Sequence, residues 1–486
     1  MVLSATIANV AVPQVMGAFG VGQDQAQWMA TAFLTTMTVS QLLNHWMHLA
    51  LGPRGAFTLT IVVFLAGTAI GWFAPNIDIL ILARIMQGFA AGIVTPMVMV
   101  TMFEVFPADR RGLAMGVYGS GVVLAPALGP VVGGFAIDTY DWRFIFLMPV
   151  PFCLVALIGG LMFMPSAPRR ARLPPFDWVG YVLLSGALAL LMTGAANGVR
   201  QGWNSGEIIT LLGVGTGLGL LFVAVQLNTS SPLLDLSLWR NKRFAAALLV
   251  GFVFGAGNFA SSYAIPVFAQ TVQGLTATDA GLMLMPAGLL LVAALPVTGR
   301  IADKLPAHVP VMIGLVCFAI GVALMSVADK QTAFWTFAAF VCISRFGLAF
   351  IIPSLSVGAL ATLQPSELTR GSGSINFIRQ LGGAVGTNLV VVWLQVRTNF
   401  HADGLFATQT AENRTSQALL ESIAVKLQST GLPNNIADSL AVDYLANVVH
   451  AQAFTLGFKD SFMALATVFA IALVPAWAFA RASRRS

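Results

Sequence analysis

The chain is poor in charge, cysteine and histidine, and each shortage removes a class of function. Only 9% of its 486 residues are charged and 57% are hydrophobic, which excludes an ordinary water-soluble domain. Its 3 cysteines lie inside apolar runs and its 5 histidines show no zinc-binding spacing, so no disulfide framework or metal site is indicated. The sequence has no phosphate-binding loop ending in Gly-Lys and no GxSxG nucleophile turn. We therefore expect neither an enzyme nor a cofactor.

The uncharged runs have the length that crosses a bilayer, which takes about 20 apolar residues per helix. The net charge of +6 is scattered between these runs and forms no basic stripe, so we expect no nucleic-acid partner. The runs are too long for the strands of an outer-membrane barrel, and they predict an all-α polytopic membrane protein. Fourteen spans are expected, near residues 1–19, 26–48, 57–75, 79–102, 112–137, 143–164, 178–197, 208–227, 244–268, 280–299, 309–327, 331–355, 371–396 and 460–480.

The basic residues predict the orientation of these spans. Inner loops of membrane proteins carry an excess of Lys and Arg. If the first span starts inside, the outer loops hold only Arg143, Arg200, Lys330, Arg397, Arg414, Lys426 and Lys459. The inner loops then hold Arg54, Arg110, Arg111, Arg169, Arg170, Arg172, Arg240, Lys242, Arg243, Arg300, Lys304, Arg370, Arg481, Arg484 and Arg485. We expect an inner-membrane protein with both termini in the cytoplasm.

A weak internal repeat predicts two halves. Inner loops at 106–112 and 364–371 follow spans that contain Arg84 and Arg345, and both lead into Gly-rich helices. The predicted domains are a six-helix half (1–164), two linker spans (165–243) and a second six-helix half (244–486). The second half includes a long outer loop, 398–458. In that loop, i+4 spacing predicts a short amphipathic surface helix, which serves either as a covering flap or as a docking site: Ile436, Leu440, Tyr444 and Val448.

Three arginines lie within predicted spans, where an unpaired charge is expensive to bury. Arg84 precedes Gln87 and Gly88, which add a hydrogen-bonding group and a point of close helix approach, so we expect a functional role for it. Structural pairing is the alternative. For Arg379 both interpretations stay open, and Arg345 lies close enough to a span end for its side chain to reach the interface.

The fifth predicted span carries a small residue at every fourth position, with two prolines between them. Such a face permits very close helix packing, and the prolines bend the helix. Packing alone and closure of one end of a rocking transporter are both compatible with this pattern. Its residues are Gly121, Ala125, Pro126, Gly129, Pro130, Gly133 and Gly134.

Polar and aromatic residues inside spans of both halves are the candidates for a substrate cavity. An apolar pocket with a few polar groups suits lipophilic molecules. The alternative for each residue is a hydrogen bond between helices. The candidates are Asn9, Gln14, Gln41, Asn258, Tyr263, Gln270, Asn376 and Gln380.

Several segments resemble one family. Residues 129–134 (GPVVGG) resemble the antiporter motif of the major facilitator superfamily, and residues 6–13 (TIANVAVP) are similar to the first-span motif of its fourteen-span EmrB/QacA-type drug:proton antiporters. Residues 141–146 (DWRFIF), 233–236 (LLDL) and 379–383 (RQLGG) also resemble that family, as does the long last outer loop. The likeness extends over nearly the whole chain. It implies a major facilitator fold and export of lipophilic drugs or metabolites by alternating access.

The resemblance further implies proton coupling, with conformational roles for Arg84, Gln87, Gly88, Asp303 and Arg379. It also implies a periplasmic adaptor and an outer-membrane channel as possible partners. No carboxylate lies at the middle of a predicted span, since the nearest candidates all fall near span ends. They are Glu104, Asp138, Asp177, Glu207, Asp279 and Asp303. Proton coupling is therefore an implication of the resemblance and does not follow from the residues themselves.

Two segments depart from the family pattern. The acidic residue expected before the first-span motif is Ser4, so we expect Arg84 to lack its anionic partner. The inner loop at 45–54 has lost the expected Gly, Asp and basic residues, whereas its counterpart at 299–304, which contains Asp303, keeps them. The first span is also short, which suggests an upstream start or a truncation. These departures favour a second hypothesis, a coupling-deficient facilitator or a regulatory binding protein with the same fold.

Overall fold

The computed structural model is helical and describes residues 1, 4, 7, 11–165, 175–229, 231–410 and 412–481. Short 3-10 turns lie at Gln41–Leu43, Ala108–Arg110, Leu236–Arg240 and Pro365–Glu367, and one α-helical turn, Phe144–Leu147, precedes α6. The longer helices, numbered in chain order, are α1 (Val12–Phe19), α2 (Gln23–Ser40), α3 (Asn44–Trp72), α4 (Ile77–Val105), α5 (Arg111–Thr139), α6 (Val150–Phe163), α7 (Trp178–Gln201), α8 (Gly206–Asn228), α9 (Lys242–Thr271), α10 (Ala277–Lys304), α11 (His308–Met325), α12 (Phe334–Leu360), α13 (Leu368–Ala407), α14 (Arg414–Gln428), α15 (Asn434–Ile471) and α16 (Leu473–Arg481).

The all-helical polytopic architecture is confirmed. Within the described ranges, 11 stretches are long and apolar enough to cross a membrane. One of them, Trp28–Trp72, has 45 residues, or about 67 Å of helix, which is enough for two crossings. It divides at Gly52, where φ is 70° and ψ is 170°, a conformation that favours glycine, and Pro53 then starts the next span. The number fourteen stays a prediction, because most of residues 1–10 lie outside the described part.

The two halves repeat the same packing. In the first half α4 packs between α2 and α3, and in the second half α12 packs between α10 and α11. The core of the second half contains a group of stacked and edge-on aromatic rings: Phe268, Phe337, Phe458 and Phe462. On the outer surface, large apolar side chains such as Phe152, Phe163 and Leu220 are exposed, as expected for a surface that faces lipid.

The linker helices α7 and α8 pack on each other, and α7 also contacts α2 of the first half and α13 of the second. Asp177 caps α7, accepting from the Gly180 amide at 2.8 Å, and accepts from Gln226 Nε2 of α8 at 2.6 Å. The segment after α8 is tied to the second half by the 2.6 Å ion pair between Arg370 and Asp235. The division at 1–164, 165–243 and 244–486 stays a prediction, and the basic residues at 169–172 lie outside the described part.

The predicted outer loop at 398–458 is wrong as a loop, because most of it is helical. α13 continues to Ala407, α14 occupies Arg414–Gln428, and α15 begins at Asn434 and runs without interruption into the last span. Ion pairs hold the extension together, since Asp460 accepts from Arg397 Nε at 2.6 Å and lies 2.7 Å from His401 Nε2. The amphipathic helix is therefore the start of α15, and it is not a short, separate element.

Candidate functional site

Arg84 lies in α4 and is enclosed by the first half. Its side chain is 1% exposed. It donates from Nε to the Met29 carbonyl at 3.1 Å, from Nη1 to Gln87 Oε1 at 2.7 Å, and from Nη2 to the Ser4 carbonyl at 3.1 Å. The guanidinium also lies 4.3 Å from the centre of the Phe33 ring. Every face of this cation therefore meets the protein, which compensates part of the cost of burying it.

Neighbouring residues of α4 complete this site. Gln87 donates from Nε2 to Thr68 Oγ1 of α3 at 2.9 Å, so the Arg84 network extends to a third helix. Gly88 lies directly against the Phe33 carbonyl of α2, where a Cβ would overlap that oxygen. Glycine is needed there because the two backbones approach closely. These contacts place Gln87 and Gly88 beside Arg84 as structural supports of its position.

The hydroxyl of Ser4 is buried and has no hydrogen-bond partner among the described residues. Its carbonyl accepts from Arg84, so the structure places Ser4 beside the guanidinium, where the family pattern has a carboxylate. Among the described residues, no Asp or Glu forms an ion pair with Arg84. The first half therefore holds an arginine that is bound by neutral groups alone.

Arg345 is the corresponding arginine of the second half, because α12 is the fourth helix of that half. Its side chain is 8% exposed and does not extend to a span end, which corrects the interface alternative. Nη1 donates to Asn258 Oδ1 and Nη2 donates to Ser262 Oγ, each at 3.2 Å. Both acceptors belong to α9, the first helix of the half. Arg84 likewise binds the carbonyl of Ser4, in the predicted first span of its own half.

Arg379 of α13 lies between the halves. It donates from Nη2 to Asn376 Oδ1, and Asn376 in turn lies 3.4 Å from Met99 Sδ of α4. The Tyr118 hydroxyl of α5, which donates to the Thr95 carbonyl at 3.4 Å, is within electrostatic range of the Arg379 guanidinium. Side chains from both halves therefore meet around Arg379 and Asn376.

The predicted cavity residues divide into three groups. Asn258, Asn376 and Gln41 lie inside the bundle, and Gln41 Oε1 is buried without a partner in the described part. Tyr263 is 38% exposed and lies one residue after Ser262, and Gln380 is half-buried. Gln14 and Gln270 are exposed, and Gln270 bonds only to its own helix, at the Pro266 carbonyl. Asn9 lies outside the described residues. Asn258 is bonded to Arg345, and Asn376 is bonded to Arg379.

The small-residue face of the fifth span is described at two positions. At Gly133 a Cβ would lie 3.2 Å from Ile7 Cγ2, so α5 approaches the first span closely there. At Gly121 no described atom lies within 4 Å of a Cβ, so close approach at that position stays a prediction. The side chains of Ala125, Pro126, Gly129, Pro130 and Gly134 lie outside the described part.

The halves touch along two seams at what we call the basic end. This end of the bundle is the one that carries Arg54, Arg110, Arg111, Arg300 and Lys304. In the first seam, α5 packs on α10. Asp303 Oδ1 and Oδ2 accept from the amides of Gly112 and Leu113 at 2.5 and 2.9 Å, so a carboxylate caps α5. In the second seam, His45 Nδ1 lies 2.8 Å from Thr369 Oγ1, at the start of α13.

The first seam is tight only near the basic end. Gly116 lies against the Leu295 carbonyl, and Ser120 Oγ donates to the Val292 carbonyl at 3.0 Å. Gly281 and Gly288 continue the same face of α10 toward the opposite end, and no described atom lies within 4 Å of a Cβ at either position. The halves are therefore closed at the basic end, and their described contact on α10 ends near Val292.

Sequence analysis missed Ser262, Tyr118 and His45 as contact residues. Ser262 was identifiable, because it follows Asn258 by one helical turn within an apolar span. Tyr118 and His45 gave no comparable signal. Tyr118 meets Arg379, and His45 meets Thr369, only when the halves pack together, and the contact of Tyr118 with Thr95 depends on the packing of α5 on α4.

Comparison with known proteins agrees with this architecture. The sequence profile of the Major Facilitator Superfamily matches residues 1–387. The chain is 28% identical over 480 residues to "Multidrug export protein EmrB" of Haemophilus influenzae, covering 98% of this chain and 92% of that protein. It is 30% identical over 402 residues to "Multidrug resistance protein B homolog" of Mycobacterium tuberculosis, covering 82% and 74%. The solved proton:xylose symporter XylE shares the fold, with a TM-score of 0.59, 13% identity, and coverage of 98% and 92%.

Proposed function

The chain belongs to the major facilitator superfamily and is a multi-pass secondary transporter, and from this premise we propose that it exports lipophilic drugs or metabolites by alternating access, driven by protons. The observation that carries the proposal is the pair of seams closed at the basic end, with polar side chains of both halves meeting around Arg379. A transporter that rocks needs such seams to open and reform. If the basic end is cytoplasmic, as the charge distribution predicts, this conformation opens to the outside.

Two features support export over uptake. The distant relatives named above are multidrug export and multidrug resistance proteins. The fifth span also carries the small-residue face that resembles the antiporter motif, and Gly133 packs on the first span. Roles for Arg84, Gln87, Gly88, Asp303 and Arg379 in coupling and conformational change belong to this proposal.

Ser4 supports a second candidate function, a facilitator without proton coupling. Its hydroxyl lies buried near Arg84 without a partner, where the antiporter pattern has a group that binds a proton. A serine does not titrate in the physiological range, so it cannot carry a proton in that position. This single residue separates the two candidates more sharply than any other in the described part of the chain.

Dye efflux tests both candidates. Cells expressing the chain are loaded with a cationic, a neutral or an anionic lipophilic dye, and efflux is followed with and without a protonophore. The driven exporter predicts efflux of at least one dye that the protonophore abolishes. The facilitator predicts efflux that the protonophore leaves unchanged. In the Ser4→Asp variant, efflux should become sensitive to the protonophore. Ser4→Asn, which adds similar volume without a carboxylate, is the matched control. Failure of all three dyes to leave the cells would contradict both candidates.

A periplasmic adaptor, with an outer-membrane channel beyond it, is the proposed partner. Ile436, Leu440, Tyr444 and Val448 form an exposed apolar stripe on α15, while Ala437 and Ala441 are buried. Such a stripe outside the membrane suits a helical partner. Leu440→Glu should abolish adaptor-dependent efflux and leave counterflow in proteoliposomes intact, and unchanged efflux would contradict the docking role.

A further inference from the structure

The cations inside the bundle lack acidic partners. The ion pairs of the described residues join Arg110 to Asp109, Arg143 to Asp141, Arg370 to Asp235, and Arg397 and His401 to Asp460. The first three pairs lie in loops or near helix ends, and the contacts of Asp460 join α13 to α15 within those helices. Arg84, Arg345 and Arg379 take part in none of them. The interior described here therefore contains three arginines and no carboxylate bonded to them.

These arginines differ in how many of their donors are used. A guanidinium has five N–H groups. Arg84 uses three nitrogens and is 1% exposed, so it has little left to offer a ligand. Arg345 makes two bonds of 3.2 Å to neutral side chains and is 8% exposed. Arg379 is half-buried, and the one side-chain acceptor it has among the described residues is the neutral amide of Asn376. Within the described part of the chain, the second-half arginines therefore use fewer of their donors than Arg84 does.

The side chain of Arg345 and the helix that carries Arg379 contact the same stretch of α9. Arg345 bonds to Asn258 and Ser262. The backbone of α13 packs on that stretch, because the Arg379 carbonyl lies against Gly255 and the Phe259 ring lies against Gly383. Phe259 and Tyr263 are 37% and 38% exposed. The Arg345 guanidinium thus lies within two helical turns of exposed aromatic rings, and α13 brings Arg379 to the same helix.

We propose that Arg345 and Arg379 bind the acid group of the substrate, and that the transporter prefers lipophilic organic anions to neutral or cationic molecules of the same shape. This inference rests on the proposed export function and specifies its substrate class. A carboxylate accepts two parallel hydrogen bonds from a guanidinium and supplies the negative charge that the interior lacks. A cationic substrate would meet like charge in a site of low dielectric constant. The rings of Phe259 and Tyr263 contact the apolar body of the substrate.

Three probes of one shape test the proposal: 2-naphthoate, 2-naphthamide and 2-naphthylmethylammonium. Their dissociation constants are measured on the purified full chain in phosphatidylcholine nanodiscs, so that no acidic lipid competes. We expect naphthoate to bind at least about tenfold more tightly than naphthamide, and the ammonium to bind most weakly. Equal binding of naphthoate and naphthamide, or tighter binding of the ammonium, would overturn the proposal.

Substitutions assign the effect to particular residues. Arg345→Gln and Arg379→Gln should each bring the naphthoate-to-naphthamide ratio down at least about threefold while naphthamide still binds, which shows that the site is folded. Arg345→Lys keeps the charge but loses the paired donors, and should give an intermediate ratio. Arg143→Gln removes a partly exposed arginine that pairs with Asp141 in a loop, and it should leave the ratio unchanged. A ratio that falls in Arg143→Gln but not in the second-half variants would contradict the assignment.

Counterflow in proteoliposomes separates this proposal from the export function. If naphthamide and naphthoate bind equally and exchange by counterflow at equal rates, the anion preference is overturned and the transport function stands. A tenfold binding preference for naphthoate with no counterflow of any probe would support the anion site and contradict transport.

Discussion

Arg84 and Arg345 occupy the same place in the two halves, on the fourth helix, yet the protein holds them differently. Arg84 is enclosed by two backbone carbonyls, Gln87 and the Phe33 ring. Arg345 is held by two side chains of one neighbouring helix. Backbone acceptors move only with their helix, whereas Asn258 and Ser262 can rotate away. The first half therefore uses its arginine to join helices, and the second half keeps one that can exchange partners.

The seams at the basic end differ in the same sense. In one, the Asp303 carboxylate accepts from two amides of α5, and Gly116 lies against the Leu295 carbonyl. In the other, His45 Nδ1 lies 2.8 Å from Thr369 Oγ1 at the start of α13. His45 belongs to the segment 45–54, which departs from the family pattern in sequence. The first seam is a tight closure with a carboxylate as acceptor, and the hydrogen bond described in the second joins an imidazole and a hydroxyl.

The largest expected effect is a difference in stability between variants of Arg84 and of Arg345. Arg84→Gln should reduce the free energy of unfolding by about 3 kcal/mol, because the Met29 and Ser4 carbonyls lose a charged donor inside the bundle. Arg345→Gln should cost about 1 kcal/mol, because both of its partners are side chains that can find other bonds. Reversible unfolding in mixed micelles measures both. Equal losses would show that the two sites do not differ as described.

The next expected effect is a difference between Gly116, in the first seam, and Gly373, in the second. A Cβ at Gly116 would overlap the Leu295 carbonyl, whereas a Cβ at Gly373 would lie 3.0 Å from the Gln41 carbonyl. Gly116→Ala should destabilise the closed basic end by about 2 kcal/mol, and Gly373→Ala by less than about 1 kcal/mol. Distances between spin labels at Arg110 and Lys304, in a cysteine-free background, report the opening. Unchanged distances in Gly116→Ala would refute the tight seam.

The carboxylate cap is expected to contribute less. Asp303→Asn keeps one acceptor but loses the negative charge at the start of α5, at a cost of about 1 kcal/mol. Thr369→Val, which removes the hydroxyl from the other seam, should cost about 0.5 kcal/mol. Hydrogen exchange of the Gly112 and Leu113 amides should quicken in Asp303→Asn and stay unchanged in Thr369→Val. Faster exchange in both variants would mean that the seams open together.

The smallest expected effect is a difference in acid sensitivity between two matching loops at the end opposite the basic end. In the loop between α11 and α12, hydrogen bonds, of which that from the Thr332 hydroxyl has the largest effect, hold the pKa of Asp329 below its ordinary value of 3.8. Between α3 and α4, Asn76 caps Ile79 at 3.0 Å and does not titrate. The stabilisation from Asp329 is present above its unfolded pKa and is lost as the pH falls through the folded pKa.

Hydrogen exchange at the Gln331 and Ile79 amides tests this difference between the loops. The Gln331 amide donates to Asp329 Oδ1 at 2.9 Å. Lowering the pH below 3.8 should therefore speed hydrogen exchange at Gln331 more than at Ile79. Asp329→Asn is the control and should remove the pH dependence. Parallel loosening of both loops would show that general acid unfolding, and not Asp329, is responsible.

The sequence predicted the helical fold because long uncharged runs leave the backbone no partner in lipid except itself. It also identified the in-span arginines, since charge is rare there. It failed for residues 398–458, where polar composition indicated a loop. Arg397, His401 and Asp460 join the extended helices by contacts between residues about 60 positions apart, and periodicity within one segment carries no information about such contacts.

The cavity residues show the same limit. The sequence carries the same signal, a polar residue within an apolar run, at Asn258, Asn376, Gln14 and Gln270. Of these four, Asn258 and Asn376 bond to an arginine in the described part of the chain. Which face of each helix turns toward the other half depends on packing at positions such as Gly255 and Gly116, where backbones approach each other.

By itself the sequence determined that the chain is a bundle of membrane-crossing helices whose spans carry arginines. These properties follow from composition and spacing, because transfer of each residue to lipid is a local cost. The serine in place of an expected carboxylate is an implication of the family resemblance. Only the tertiary structure decided that Arg84 is enclosed while Arg345 and Arg379 use fewer of their donors within the described part of the chain, and that the halves close at the basic end. Those properties depend on which distant helices meet, and packing of the whole bundle decides that.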